Sequence, residues 1–275
     1  MFGLEILKTV LIGIVQGITE WLPISSTGHM ILLDEFVHLN MSDEFKEMFF
    51  VVIQFGSILA VLFLYWDRLF PFSKAKEQKQ RKEIYSLWIK IIVAIIPAAV
   101  IGLIFDDILN ELFYWYIPIA IALVAYGILF IVIENRNKNR PPRITSLKKL
   151  DFKTALLIGC FQTLALIPGT SRSGSTILGA MLLGTSRKVA AEFSFFLAVP
   201  VMLGASILKL VKYGGGFTGQ EVVILLVGMA VAFFVSILAI RFLMGFIRKH
   251  SFKPFGWYRI ILGVILIIYY IAVLA

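Results

Sequence analysis

Glu20 lies inside an apolar run with Gln16 four residues before it, so on a helix the two share one face. A bare carboxylate there is unfavourable, and Glu20 should be paired, protonated or metal-bound. Pro23 follows, then Ser25, Ser26 and Thr27, with Gly28 and His29 behind them. Proline ends a helix and serine or threonine caps the next, which puts these hydroxyls at an N-terminus receptive to anions. Capping accounts for one hydroxyl but does not need all three. His29, with an ordinary pKa of about 6.5, reads equally as an acid–base group or as a structural residue.

A second break reads Pro168-Gly169-Thr170-Ser171-Arg172-Ser173-Gly174-Ser175-Thr176. Arg172 stands at an expected half-helix start with serines on both sides, and guanidinium holds phosphate through two parallel hydrogen bonds. Ser171, Ser173 and Thr176 add hydroxyls beside it. Arg172 also reads as the only Arg or Lys in the embedded pieces that cannot snorkel to an interface. The plainer alternative is a structural pair between Arg172 and Glu20 with no ligand.

The elements that carry these residues follow from the apolar runs. Charge-free stretches at 48–66, 112–133 and 222–240 are long enough for a helix to cross about 30 Å of hydrocarbon. Runs at 91–105, 193–208 and 260–275 become full spans if their flanking charges snorkel. That makes six spans. Residues 9–33 and 154–186 are broken midway, with pieces short for spans, and read as helix–break–helix elements that enter the membrane and return on the same side.

The halves also echo one another. Leu11-Ile12-Gly13 with Gln16 recurs as Leu157-Ile158-Gly159 with Gln162, an offset of 146 that lays Ser25-Ser26-Thr27-Gly28 over Ser171-Arg172-Ser173-Gly174. The expected fold is an all-α membrane protein of two inverted-topology repeats, each with one re-entrant element and three transmembrane helices. It forms a single membrane domain over 1–275: repeat one about 1–135, a loop about 136–153, and repeat two about 154–275. The offset puts Leu166 in the place of Glu20 and Ser26 opposite Arg172. One half brings carboxylate, hydroxyl and imidazole, the other the cation and more hydroxyls. That division suits one composite site at the midplane, fit for a phosphorylated lipid.

Composition agrees with the membrane reading: 59% of the 275 residues are hydrophobic, 16% are charged, and 24 are Phe. The net charge of +9 does not point to nucleic acid, because the basic residues sit in short loops between apolar runs. Of the 26 Lys and Arg, only Lys8, Lys46, Lys209, Lys212 and the intramembrane Arg172 leave the side that carries Lys74–Lys82, Lys90, Lys148 and Arg259. The positive-inside rule makes that side cytoplasmic and puts both termini on the outer face of the plasma membrane. Lys74–Lys82 reads as a cytoplasmic loop that favours anionic headgroups. The single cysteine, Cys160, excludes an internal disulfide and reads as a small packing residue. The N-terminus lacks a basic leader and a small-residue cleavage site, so no cleavable signal peptide is expected.

Gln16 with Glu20, the segment Leu22–Met30, the second break Pro168–Thr176 and the tail His250–Arg259 together resemble the undecaprenyl-diphosphate phosphatases of the bacitracin-resistance type, along nearly the whole chain. The resemblance implies removal of the terminal phosphate of undecaprenyl diphosphate, which regenerates the monophosphate carrier of cell-wall synthesis. It implies Glu20, Ser26, His29 and Arg172 as the catalytic set, with Gln16, Ser171, Ser173 and Thr176 assisting phosphate binding. A divalent cation, Mg²⁺ or Ca²⁺, is implied as a helper and a site open to the outside. Such an ion would relieve the repulsion between Glu20 and the diphosphate, and it prefers oxygen ligands. That family's first motif permits Gln or Glu where this chain has Gln16, which leaves Glu20 as the lone carboxylate there. Two nucleophiles stay open, Ser26 or a water activated by Glu20 or His29, with Ser26 slightly preferred. Ser25 and Thr27 join the phosphate-binding set. The alternative function is a lipid-phosphate flippase or small-anion transporter, which the same architecture would serve. The lipid substrate and the bilayer are the expected partners, and a homodimer is admitted but not required.

Overall fold

The computed structural model describes residues 2–72 and 76–274; Lys74 of the basic loop lies outside them. In chain order the helices are α1 (Phe2–Thr19), α2 (Ser26–Asp34), α3 (Asp43–Leu64), α4 (Trp66–Leu69), α5 (Gln78–Phe113) and α6 (Tyr116–Asn137). Then come α7 (Phe152–Thr163), α8 (Arg172–Leu182), α9 (Arg187–Tyr213), α10 (Gly219–Phe246) and α11 (Lys253–Tyr269). Among the described residues every named element is helical, and β pairing is confined to one bridge between Ile144 and Thr185.

Seven helices are long and apolar enough to cross a membrane, against the six spans expected, and the seventh is α1. The apolar run alone suggested an arm starting at residue 9. The helix instead begins at Phe2 because Lys8 pairs with Glu5 at 2.8 Å, one turn apart, and Glu5 also accepts the Asn40 N–H at 2.9 Å. Paired charges at a helix end do not stop it. By contrast, α7 with 12 residues and α8 with 11 rise only about 18 and about 16 Å, too short to span.

Other boundaries have equally local causes. α5 runs on to Phe113, and Trp115 is extended before α6 begins at Tyr116, so the run 112–133 is divided between two helices. Pro118 then falls in the first turn of α6, where its missing N–H has no intrahelical acceptor to lose. Asp151 caps α7 by accepting the Thr154 N–H at 2.6 Å, which holds its carboxyl below the usual carboxylate range. Cys160 is exposed rather than packed.

Packing is closest where glycine removes a side chain. α1 lies on α10, and α7 on α5. A Cβ on Gly13 would come within 3.0 Å of the Gly228 oxygen, and one on Gly159 within 2.1 Å of the Ala94 oxygen. Gly127 of α6 and Gly256 of α11 face one another's backbone oxygens in the same reciprocal way, at 2.6 and 2.7 Å from a built Cβ. One buried apolar cluster joins Trp21, Ile58, Phe130, Phe196 and Phe255, so both halves of the chain share a core.

Gly159→Val should therefore force α7 off α5 and lower the thermal midpoint in detergent by the equivalent of about 1–3 kcal/mol. Gly204→Ala, with nothing within 4 Å of its built Cβ, should leave that midpoint unchanged.

Candidate active site

Both breaks start their second helix from a strained serine. Ser25 has φ 74° and Ser171 φ 71°, and they are the only non-glycine residues with positive φ among those described. Side chains rarely adopt that region without compensation. Here each hydroxyl caps its own helix, accepting the Gly28 N–H at 3.3 Å and the Gly174 N–H at 3.1 Å. The turn aims the following residue, Ser26 in one break and Arg172 in the other, at the space between them.

Four side chains meet there. Arg172 Nη2 donates to Glu20 Oε1 at 3.0 Å, across 152 residues of chain. Gln16 Nε2 and Ser26 Oγ both donate to Glu20 Oε2, at 3.0 and 3.2 Å. Glu20 is 7% exposed and Arg172 12% at their side chains. Ser173 Oγ donates to the Glu20 carbonyl at 3.2 Å, which ties the two breaks through backbone as well.

The guanidinium is held on several sides. Its Nη1 donates to the Ser194 carbonyl at 2.8 Å, its plane lies 5.6 Å from the Trp21 ring, and Thr176 Oγ1 contacts Ser194 Oγ at 2.6 Å. Its Nε–H is buried and has no acceptor among the described residues. In the other half, Gln162 stands where Gln16 stands in the first, and both polar atoms of its buried amide lack partners. Leu166 replaces the carboxylate that Gln16 binds.

Arg259 overturns its assignment to the basic loop and the reading of Arg172 as the sole trapped cation. It is fully buried, with 0% exposure. Its Nη2 donates to the carbonyls of Gly169 and Thr170, both at 2.9 Å, and its Nη1 to that of Pro23 at 3.3 Å. Nε reaches the Leu123 carbonyl at 3.5 Å, and the guanidinium lies 5.5 Å from the Tyr126 ring. Broken helices free carbonyls, and one fork of donors serves both breaks.

Of the residues singled out in the sequence, Gln16, Glu20, Ser26, Arg172 and Ser173 are brought together. Ser25 and Ser171 cap, and Thr176 supports Arg172 through Ser194. Thr27 makes no side-chain hydrogen bond among the described residues. His29 turns aside from the carboxylate: its Nδ1 donates to the Ser25 carbonyl at 2.7 Å, leaving Nε2 to accept the Tyr258 hydroxyl at 2.7 Å. Its ring stacks on Tyr258 with centroids 5.5 Å apart. Ser194, Trp21 and Met202, whose sulfur lies 3.8 Å from Arg172 Nη2, were missed as site residues. Met202 sits in apolar sequence, and although Trp21 adjoins Glu20 and Ser194 lies two residues after Glu192, neither residue type by itself points to a phosphate site.

No group of three His, Cys, Asp or Glu side chains able to hold a metal is found among the described residues. Glu20 and Ser26 nonetheless put oxygen atoms side by side, and Mg²⁺ is commonly bound by one carboxylate plus substrate phosphates and water.

Residues 9–265 match the family model described as bacitracin resistance protein BacA. The chain is 61% identical over 270 residues to a protein of Acetivibrio thermocellus named undecaprenyl-diphosphatase, covering 98% of this chain and 99% of that one. Proteins of the same name from Desulfitobacterium hafniense and Enterococcus faecalis are 61% and 59% identical, covering 98% and 96% of this chain and 97% of each relative.

Arg259→Met keeps the bulk but strips donors from the carbonyls of both breaks. Its thermal midpoint in detergent should fall by the equivalent of 3 kcal/mol or more, on the order expected for several buried acceptors left unpaired. An unchanged midpoint would mean the breaks hold themselves.

Proposed function

The chain belongs to the bacitracin resistance protein BacA family, and from that premise we infer that it is an integral-membrane undecaprenyl-diphosphatase. It hydrolyses undecaprenyl diphosphate to undecaprenyl phosphate and inorganic phosphate and returns the carrier to cell-wall synthesis. One observation carries the assignment of residues: Ser26 donates to Glu20, and Glu20 is held by Arg172.

In the proposed mechanism Arg172 and the free N–H groups at the starts of α2 and α8 hold the diphosphate. The Nε–H without an acceptor is a donor suited to a phosphoryl oxygen. Glu20 Oε2 takes the Ser26 proton as Ser26 Oγ attacks the terminal phosphorus, and the bond to the leaving undecaprenyl phosphate breaks. Water then hydrolyses the phosphoserine. Gln16 fixes the Glu20 carboxylate, while Ser171, Ser173, Thr176, Ser25 and Thr27 shape the phosphate cradle. His29, three residues after Ser26 and on the same helix face, offers Nε2 as the acid–base nitrogen once Tyr258 releases it. Glu20, with the Ser26 oxygen beside it, would hold Mg²⁺ or Ca²⁺, which when bound would offset the charge between carboxylate and diphosphate.

The proposed architecture is two inverted-topology repeats. Its supports are the strained capping serines 146 positions apart, the glycine approaches at Gly13 and Gly159, and the paired Gln16 and Gln162. In this topology α1–α2 and α7–α8 are re-entrant, while α3, α5, α6, α9, α10 and α11 cross. The basic loops face the cytoplasm, and the termini and the mouth of the site face outward. The site is completed within one chain and needs no second copy. The site's chemical asymmetry favours hydrolysis over transport, since only one half carries the carboxylate.

Arg172→Ala should cut phosphate release from a polyprenyl diphosphate in detergent by about 10³-fold with the elution profile unchanged; an undiminished rate would remove Arg172 from the site. Rapid acid quenching with substrate labelled in its terminal phosphate should trap label on Ser26 and lose it in Ser26→Ala. Turnover without labelled protein would move the attack to water.

A further inference from the structure

We propose that the basic end of the bundle holds a second site, one that takes the phosphodiester headgroup of an anionic phospholipid. A cavity of about 860 Å³ opens between α4, the first turns of α5 and the 3₁₀ turn Leu147–Lys149. Six Lys or Arg side chains line it against two carboxylates. Some of that charge is already engaged: Lys148 pairs with Glu83 at 2.7 Å, Arg68 with Glu192 at 2.8 Å, and Lys76 donates to the Asp67 and Phe70 carbonyls. Lys79, Lys82 and Lys90 make no ion pair or hydrogen bond among the described residues.

Lys90 is the telling one. It is 7% exposed, lines the cavity, and lies 5.7 Å from the Phe152 ring; the Asp151 carboxylate is near enough to attract it, but no acceptor among the described residues hydrogen-bonds its Nζ. A buried ammonium without an acceptor is unfavourable, and an anion in the cavity supplies one. The walls choose among anions. Ile84, Leu87 and Leu147 are apolar, and the volume far exceeds one phosphate group. Depth agrees: the elements that form it carry Trp66 in α4 and Tyr85 and Trp88 in the early turns of α5, with Trp66 and Tyr85 exposed, as in the aromatic girdle that marks headgroup level. Basic pockets between helices at that level suit lipid phosphates. None of these residues belongs to the Glu20–Arg172 network, so the lipid site stands or falls independently of the catalytic roles.

The test is native mass spectrometry of the full chain in detergent with added phosphatidylglycerol or phosphatidylcholine. Phosphatidylglycerol should be retained preferentially, and Lys90→Gln should lower its retention roughly fivefold, while Lys90→Arg keeps it. The exposed pair Lys79→Gln/Lys82→Gln should lower it by roughly the same factor per lysine, and decides the matter if Lys90→Gln does not fold. Phosphate release in lipid-free detergent should be the same for that double variant as for the parent chain. Equal retention of both lipids, or retention unmoved by the substitutions, would overturn the site. Displacement of the lipid by inorganic phosphate would overturn the lipid assignment and give the cavity to a soluble anion.

Discussion

A chain that stops being helical inside hydrocarbon frees carbonyl groups that water cannot reach, and their satisfaction constrains everything else in this protein. Arg259 meets that demand. Its guanidinium reaches the carbonyls of Pro23 in the first break and of Gly169 and Thr170 in the second. Serving both breaks from one side chain also fixes the distance between them. The arginine is itself positioned from the start of α11, two turns away, where the Phe252 N–H donates to Glu134 at 2.8 Å and Glu134 receives Arg187 through two hydrogen bonds.

With the breaks locked, Glu20 and Arg172 have nowhere else to go. In surroundings of low dielectric an isolated member of that pair would be strongly unfavourable, so each secures the other. Gln16 and Ser26 use the second carboxylate oxygen, which gives Glu20 three donors and leaves Arg172 with one free N–H. A structural salt bridge would need no such remainder. The hydroxyl that donates to the carboxylate sits at a helix start, where partial positive charge gathers, and that combination favours phosphoryl chemistry over a passive bolt.

Charge is handled differently away from the centre. Glu192 with Arg68 and Glu134 with Arg187 are nearly closed pairs that pin α9 to α4 and to α6. Around the cavity by α5, Lys148 pairs with Glu83 and Lys76 donates to backbone carbonyls, while Lys79, Lys82 and Lys90 make no ion pair among the described residues. The bundle thus holds self-satisfied pairs, one partly satisfied centre and one basic rim with only some of its charges paired, three local answers to the same electrostatic problem.

The sequence by itself determined the membrane class, the two proline-marked breaks, and the offset of 146 at which Ser25 and Ser171 share a backbone conformation. These are local or periodic properties, readable from composition, helix-breaking residues and spacing. Glu20 and Arg172 were legible for a related reason: each is a charge where charge is unfavourable, and opposite signs in one apolar interior seek each other. Arg259 was not legible, because a charge near the edge of an apolar run looks ready to snorkel; its burial depends on carbonyls 89 to 236 residues away. The extent of α1 escaped for a similar reason, since hydropathy counts Glu5 and Lys8 as two charges and cannot see that they cancel. Ser194 and Met202 lie in a helix with nothing local to tie them to the site, and Trp21, though beside Glu20, reads as one more apolar residue of the break. Only packing of α8 against α9 brings Ser194 and Met202 to the guanidinium, and only the meeting of the breaks sets the Trp21 ring beside it, because neighbours across a bundle are chosen by shape and satisfaction over the whole chain rather than by nearby sequence.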